Sequence, residues 1–264
     1  MRARPKPTAL TCPPFKRCEP GTDSWRRPTH ACAAPRDADA IRAIAELLAL
    51  LAPPSCTACR TPLTTAGPLL CPACTRALPW LRGPGCPRCG LPRHRRNTGC
   101  PAVGAAFALA WAPLAYDGVA RELVKALKFR GALPVARLMA AQLAAGLPPA
   151  LRGVDAVVPV PPHPGRRRRR GFDPADVLAK ALAERLALPL APCLHRGGGR
   201  RQVGAGERAR RDPGRLAVRA SAAPERVLLV DDVHTTGATL DACARALAAG
   251  GSRWVVAATY TRTL

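Results

Sequence analysis

Val227-Leu228-Leu229-Val230-Asp231-Asp232-Val233-His234-Thr235-Thr236-Gly237-Ala238-Thr239 is the stretch that decides the fold of this chain. Four consecutive apolar residues are the pattern of a strand buried on both faces, which belongs in a parallel sheet covered by helices. Two adjacent acids end the run, and a Thr/Gly turn opens a helix expected from about Ala238 to Ala249. Successive N–H groups of such a turn and of a helix N-terminus cradle a phosphate, and Gly237 permits close backbone approach. The hydroxyls of Thr235, Thr236 and Thr239 add donors. Asp231 and Asp232 are placed to accept from sugar hydroxyls or to reach the hydration shell of a Mg²⁺ ion. An N-capped helix after an ordinary strand accounts for any two of these residues, but not for all of them in this order.

Working outward, Val154 to Val160 reads as a second buried strand, followed by a helix from about Pro174 to Leu186 and an Arg/Gly-rich loop from Arg196 to Arg215. Trp254 to Tyr260 forms a last strand. Upstream, Trp111 to Tyr116 reads as a short strand, with helices from about Val119 to Phe129 and Val135 to Ala145 and a break at Pro148-Pro149. Buried strands alternating with helices imply an α/β fold, a mainly parallel sheet flanked by helices, with ligands at the carboxyl ends of its strands.

Before this domain the cysteines are dense. Three Cys-x-x-Cys pairs, Cys56/Cys59, Cys71/Cys74 and Cys86/Cys89, recur every 15 residues. Each such turn points two thiolates at one ion, and two turns supply the tetrahedral four-cysteine site that Zn²⁺ prefers. Cys56, Cys59, Cys71 and Cys74 are assigned to a first zinc. Cys86, Cys89 and Cys100 are candidate ligands of a second, with His94 the remaining possibility. A disulfide framework is the alternative, but no signal peptide is evident to place the chain in an oxidising compartment.

The net charge of +24 favours polyanions such as nucleic acid, pyrophosphate or an anionic membrane surface without choosing among them. An Arg, Ala, Pro and Gly bias is also what a GC-rich genome produces. Aromatics make up only 4% of residues, which counts against a dedicated reader of single-stranded bases. The longest apolar window, Ile41 to Ala52, is too short to span a bilayer and carries Arg42 and Glu46, so an amphipathic helix and a cytoplasmic location are expected. The division expected is a disordered basic arm over 1–38, a helix plus zinc-ribbon module over 39–104, and the α/β domain over 105–264.

From about Leu51 onward the chain resembles the type I phosphoribosyltransferases and, more closely, the ComF family of competence-associated proteins with an N-terminal zinc module. The resemblance is carried by the paired cysteines, Tyr116-Asp117-Gly118, Leu127-Lys128-Phe129-Arg130-Gly131, Val157-Val158-Pro159-Val160-Pro161, Arg170-Gly171-Phe172, Gln202-Val203-Gly204 with Arg208, and the Asp231 to Thr239 loop. It implies a site for 5-phosphoribosyl pyrophosphate and Mg²⁺, with Asp231 and Asp232 catalytic. Thr235, Thr236, Gly237, Ala238 and Thr239 would bind the substrate together with Val160, Pro161, Arg170 and Arg208. Val160 to Gly165 takes the position of the pyrophosphate-binding loop, and Arg200 to Arg211 that of a mobile loop over the site. Three positions depart from the family pattern: His234 replaces an aliphatic residue, Asp173 an Asn, and Val103 the cysteine closing a fourth pair.

Two functions from different classes follow. One is a pentosyl glycosyltransferase of nucleotide metabolism or DNA uptake, with an unidentified acceptor. The other is a non-catalytic adaptor of the DNA-uptake machinery that holds single-stranded DNA on the zinc module and the arginines of Arg166 to Arg170. A repressor sensing phosphoribosyl pyrophosphate ranks below both, since no helix-turn-helix pattern is present.

Overall fold

The computed structural model describes residues 54–65, 67–83, 85–94, 99–162, 170–196 and 217–264. The basic arm, the Ile41 to Ala52 helix, residues 163–169 of the expected pyrophosphate loop and arginine run, and the 200–211 loop with Arg208 lie outside them.

The sheet has the order β1-β7-β6-β3, with every pairing parallel. Its strands are β1 (Leu109–Trp111), β2 (Leu114–Ala115), β3 (Ala156–Pro159), β6 (Arg226–His234) and β7 (Trp254–Arg262). The single strand expected over Trp111 to Tyr116 is two pieces, β1 and β2, both paired to β7 and separated by Ala112-Pro113; proline has no N–H for the ladder. Leu190 bridges to Val157 on the outer side of β3.

Five helices are described: α1 (Pro72–Arg76), α2 (Gly118–Arg130), α3 (Pro134–Gly146), α4 (Pro174–Leu186) and α5 (Ala238–Ala249). Their ends follow from local chemistry. The Asp117 carboxylate accepts from Gly118 N–H at the start of α2, and Gly131 closes it in the left-handed region at φ 63°. Asp173 caps α4 by accepting from Ala175 N–H, ahead of Pro174 in the first turn.

Alternation along the strands divides the interior in two. Val157, Leu228, Val230, Val256 and Ala258 face α2, α3 and α4, whereas Val158, Val227, Leu229, Val255 and Ala257 face α5. Adjacent strands β3 and β6 therefore send their following helices to opposite faces. That makes their carboxyl ends the topological switch point, where an open α/β sheet splays into a crevice.

Two differences from the sequence reading matter for the site. Strand β6 continues to His234, so Asp231 and Asp232 lie within the strand and not beyond it; Thr259, Thr261 and Arg262 of the long β7 continue the ladder alongside. The expected Arg196 to Arg215 loop, of which only Arg196 lies within the described residues, is flanked by an antiparallel ribbon that the sequence did not announce, β4 (Leu194–Arg196) with β5 (Val218–Ala220). Among the described residues no helix is long and apolar enough to cross a membrane.

Candidate functional site

A cleft of about 330 Å³ opens at the carboxyl ends of β3 and β6. From β6 and its turn come Asp231, Asp232, Thr235 and Thr239; from the segment after β3, Val160, Pro161 and Arg170. Seven of the expected site residues thus meet in one place. Thr236, Gly237 and Ala238 form the turn behind the lining.

The cleft also gathers Tyr116 and Lys128, from two of the motifs that carry the resemblance, together with Asp173 and Arg196. Lys128 reaches from α2 to place Nζ 2.8 Å from Asp232 Oδ1, where the carboxylate side chain is 7% exposed. The signal for it was present: a lysine in Leu127-Lys128-Phe129 near the end of an amphipathic helix whose neighbours are buried. Arg196 donates from Nε to the carbonyl of Pro161 (3.0 Å), tying the β4/β5 ribbon to the chain after β3. Arg196 was hidden because the ribbon pairs residues more than 20 positions apart, which no local pattern reports.

Asp231 Oδ1 accepts from Asp232 N–H (2.8 Å). Burial and the neighbouring Asp232 charge push the Asp231 pKa well above the usual carboxylate range, and Lys128 only partly opposes them. Two carboxylates against one ammonium leave this end of the cleft short of positive charge. That donor set suits a hydrated Mg²⁺ ion, an all-oxygen binder that keeps several waters.

Behind the cleft, the turn is held from β7. Thr261 Oγ1 donates to Asp232 O (3.1 Å), and Thr263 N–H and Arg262 Nη1 both donate to His234 O (3.0 Å each). Arg262 Nη1 also donates to Thr235 O. Gly237 has φ 86°, and a Cβ there would lie 2.9 Å from His234 Nε2. Only glycine fits both the backbone conformation and the buried imidazole beneath it. His234 is 2% exposed, and burial together with Arg262 pushes its pKa down to about 3, so it is a neutral packing residue at physiological pH.

The cysteines form two clusters, each with its ligand atoms within 4.8 Å of one another: Cys56, Cys59, Cys71, Cys74, and Cys86, Cys89, His94, Cys100. Sulfurs of Cys59 and Cys71, and of Cys86 and Cys100, are 3.7 Å apart, and Cys89 Sγ lies 3.2 Å from His94 Nε2. Tetrahedral bonds of about 2.3 Å place sulfur ligands about 3.8 Å apart, so these spacings fit Zn²⁺. Backbone N–H groups of Cys71 and Cys74 donate to Cys56 and Cys71 sulfurs (3.4 Å each), the stabilisation a thiolate needs. Residues 47–104 match the double zinc ribbon domain. The chain therefore carries a zinc-binding module ahead of a parallel α/β sheet. His94 supplies the fourth ligand atom of the second cluster, beside Cys86, Cys89 and Cys100.

Among solved structures, the chain is similar to a glutamine phosphoribosylpyrophosphate amidotransferase from B. subtilis complexed with ADP and GMP (21% identity, 47% of this chain and 26% of that one, TM-score 0.34). It is similar to an orotate phosphoribosyltransferase from Aeropyrum pernix (22%, 53% and 62%, TM-score 0.30) and a hypoxanthine phosphoribosyltransferase from Staphylococcus aureus (16%, 47% and 61%, TM-score 0.30). The chain spans about a quarter of the first and about three fifths of the other two. No curated protein sequence matches it.

Proposed function

We propose that the cleft binds 5-phosphoribosyl pyrophosphate with Mg²⁺ and that the chain is a phosphoribosyltransferase acting in nucleotide metabolism or DNA uptake. The observation that carries this reading is the meeting of Asp231, Asp232, Thr235 and Thr239 with Lys128, Arg170 and Arg196 in one crevice at the sheet's switch point. Carboxylates suit the ribose hydroxyls, the Thr/Gly turn suits the 5-phosphate, and the three cations suit the pyrophosphate. In the transfer, the bond from the anomeric carbon to pyrophosphate oxygen breaks as a bond to the acceptor nucleophile forms, and the electron pair leaves with pyrophosphate. Bound Mg²⁺ would neutralise charge on the leaving group. Lys128 and Arg170 lie where they would share that task, and Asp231 and Asp232 where they would stabilise positive charge developing on the sugar. Cys56, Cys59, Cys71 and Cys74 would hold one structural zinc, and Cys86, Cys89, Cys100 and His94 a second. A cytoplasmic location and the 1–38, 39–104 and 105–264 division belong to the same proposal.

Calorimetric titration of phosphoribosyl pyrophosphate with Mg²⁺ into the zinc-loaded chain tests it, beside Asp231→Asn/Asp232→Asn. Saturable binding that the double variant loses is the expected result; no binding by the folded parent refutes the site.

One observation supports the adaptor reading. Phe129, 66% exposed at the cleft's rim, carries the Arg170 guanidinium 4.9 Å from its ring centre, a stacking platform next to a cation. Single-stranded DNA binding that falls steeply with salt and is weakened by Phe129→Ala would favour it.

A further inference from the structure

We infer that the Cys86, Cys89, His94, Cys100 cluster is a latch on the phosphate-binding turn, so that metal occupancy there and sugar-phosphate affinity at Thr235 to Thr239 are linked. The inference rests on the phosphoribosyl reading for its ligand but not for its mechanics, which are visible as a continuous set of contacts.

The relay begins inside the knuckle. Arg88, between Cys86 and Cys89, donates from Nε to Ala102 O (2.7 Å) and from Nη2 to Ala105 O (2.8 Å). This fixes the segment immediately after Cys100. The same segment is fastened to the first turns of α5: Ala106 N–H donates to Asp241 Oδ1 (2.7 Å), and Arg245 Nη2 donates to Gly104 O (3.0 Å). Asp241 and Arg245 are themselves paired at 3.0 Å, and Asp241 N–H donates to Gly237 O (2.8 Å). Six polar contacts thus connect a metal-ligand knuckle to the glycine on which the turn depends.

A second, apolar connection runs in parallel. Phe107 is 1% exposed and meets His234 edge to face, with ring centres 6.3 Å apart. His234 lies under Gly237. Arg262 binds the carbonyls of His234 and Thr235 on the same side of the turn. Cys89 shares a buried cluster with Phe107, Leu240 and Cys243.

A zinc knuckle of this size has a natural second state. Without metal, three thiols and an imidazole have no reason to stay together, and the binding free energy of the ion is folding free energy for the ligand loop. Loss of the ion frees Arg88, then residues 102–106, and with them the positioning of Gly237. By linkage, ligand in the cleft must in turn hold the metal more tightly. His234, Arg88 and Arg262 are positioning residues in this scheme; none is placed against the ligand.

Hydrogen exchange of the full-length chain across 235–241, measured without any ligand, reads the latch directly. Cys100→Ser should lose one zinc and expose these amides to faster exchange. Arg88→Ala, which keeps all metal ligands, should do the same with both zincs retained, while Arg253→Ala, on an exposed pair with Glu225, should do neither. Wild-type exchange in Arg88→Ala and Cys100→Ser overturns the latch, whatever the ligand. In calorimetry with phosphoribosyl pyrophosphate and Mg²⁺, both variants should bind about tenfold more weakly. A parent that binds nothing, with exchange still responsive to the cluster, refutes the phosphoribosyl reading and leaves the latch standing; unchanged affinity beside changed exchange refutes the linkage.

Discussion

Both cysteine clusters open with a Cys-x-x-Cys knuckle, yet they pack on opposite faces of the sheet. Cys56 and Cys74 are buried with Leu123, Leu127 and Leu143 beneath α2 and α3, whereas Cys89 is buried with Phe107 and Leu240 beneath α5. Around the first, Arg130 donates to Thr57 O (2.9 Å), so this cluster braces the helix that carries Lys128. The second braces the turn that carries Thr235 and Thr239. Two metal-binding clusters therefore brace elements on the two sides of the cleft: one the helix of Lys128, the other the segment that leads to the Thr235 to Thr239 turn. A zinc ribbon placed at a sheet edge can staple both layers at once, which a single knuckle cannot do.

The largest expected effect separates the clusters by stability. Cys74→Ser should remove a ligand from the larger apolar face and lower the melting temperature by roughly 10 °C, since each kcal/mol shifts a chain of this size by about 2–4 °C. Cys100→Ser should lower it by less than half as much. Differential scanning calorimetry with zinc content measured on the same samples tests this, and equal losses would show that the two faces are equivalent.

Next in size is the ion pair on the first cluster's side. Lys128→Met leaves the Asp232 carboxylate buried without its cation, a change of about 3–5 kcal/mol in a fully buried pair and less here, where the lysine side chain is 25% exposed. Urea unfolding should show a loss of about 2 kcal/mol, relieved in Lys128→Met/Asp232→Asn. Additive losses in the double variant would mean that the pair is not coupled.

On the second cluster's side, Gly237→Ala adds a Cβ at φ 86° and 2.9 Å from His234 Nε2. A loss of about 1–2 kcal/mol is expected from backbone strain and crowding together. Gly237→Ala/His234→Ala should recover the crowding part and keep the strain, and a double-mutant cycle by urea unfolding separates them. No recovery would place the whole penalty in the backbone.

What the sequence made legible follows the same division between local and distant chemistry. Helices α4 and α5 have the ends expected, because Asp173-Pro174, Gly237 and Gly250 are signals within one turn of each end. The metal clusters were legible because ligand spacing is itself local. His94 was the weaker candidate for the second cluster, since a lone histidine after a knuckle has no pattern of its own, although it lies only five positions from Cys89 and 3.2 Å from its sulfur. Arg196 and the Arg262 brace depend on contacts between elements far apart in the chain, and no periodicity announces them. The same reason hid the extension of β6 through the acids. Polar residues in sequence normally end a buried strand, but here Thr259, Thr261 and Arg262 of β7 continue the ladder and Thr261 and Arg262 bond to the backbone beyond Val230.

The smallest effect concerns His234, a buried imidazole packed between Phe107 and Gly237. Its pKa in the folded chain is lowered to about 3 from an ordinary 6.5, chiefly by burial and further by Arg262. Between those two values the unfolded chain takes up a proton that the folded chain refuses. The contribution is therefore fully present above about pH 6.5 and is lost as pH falls toward 3. One pH unit corresponds to about 1.4 kcal/mol at most, so lowering the pH from 7.5 to 5.5 should remove about 1 kcal/mol of stability. Staying above pH 5.5 limits protonation of zinc-bound thiolates, which would release metal and confound the measurement. His234→Leu removes the titration while keeping an apolar side chain under Gly237. The difference in unfolding free energy between the parent and His234→Leu should slope with pH over this window, with the parent losing ground on acidification. A flat difference would mean that the imidazole is hydrated in the folded chain, and that the floor of the Thr235 to Thr239 turn is more open than its packing against Phe107 indicates.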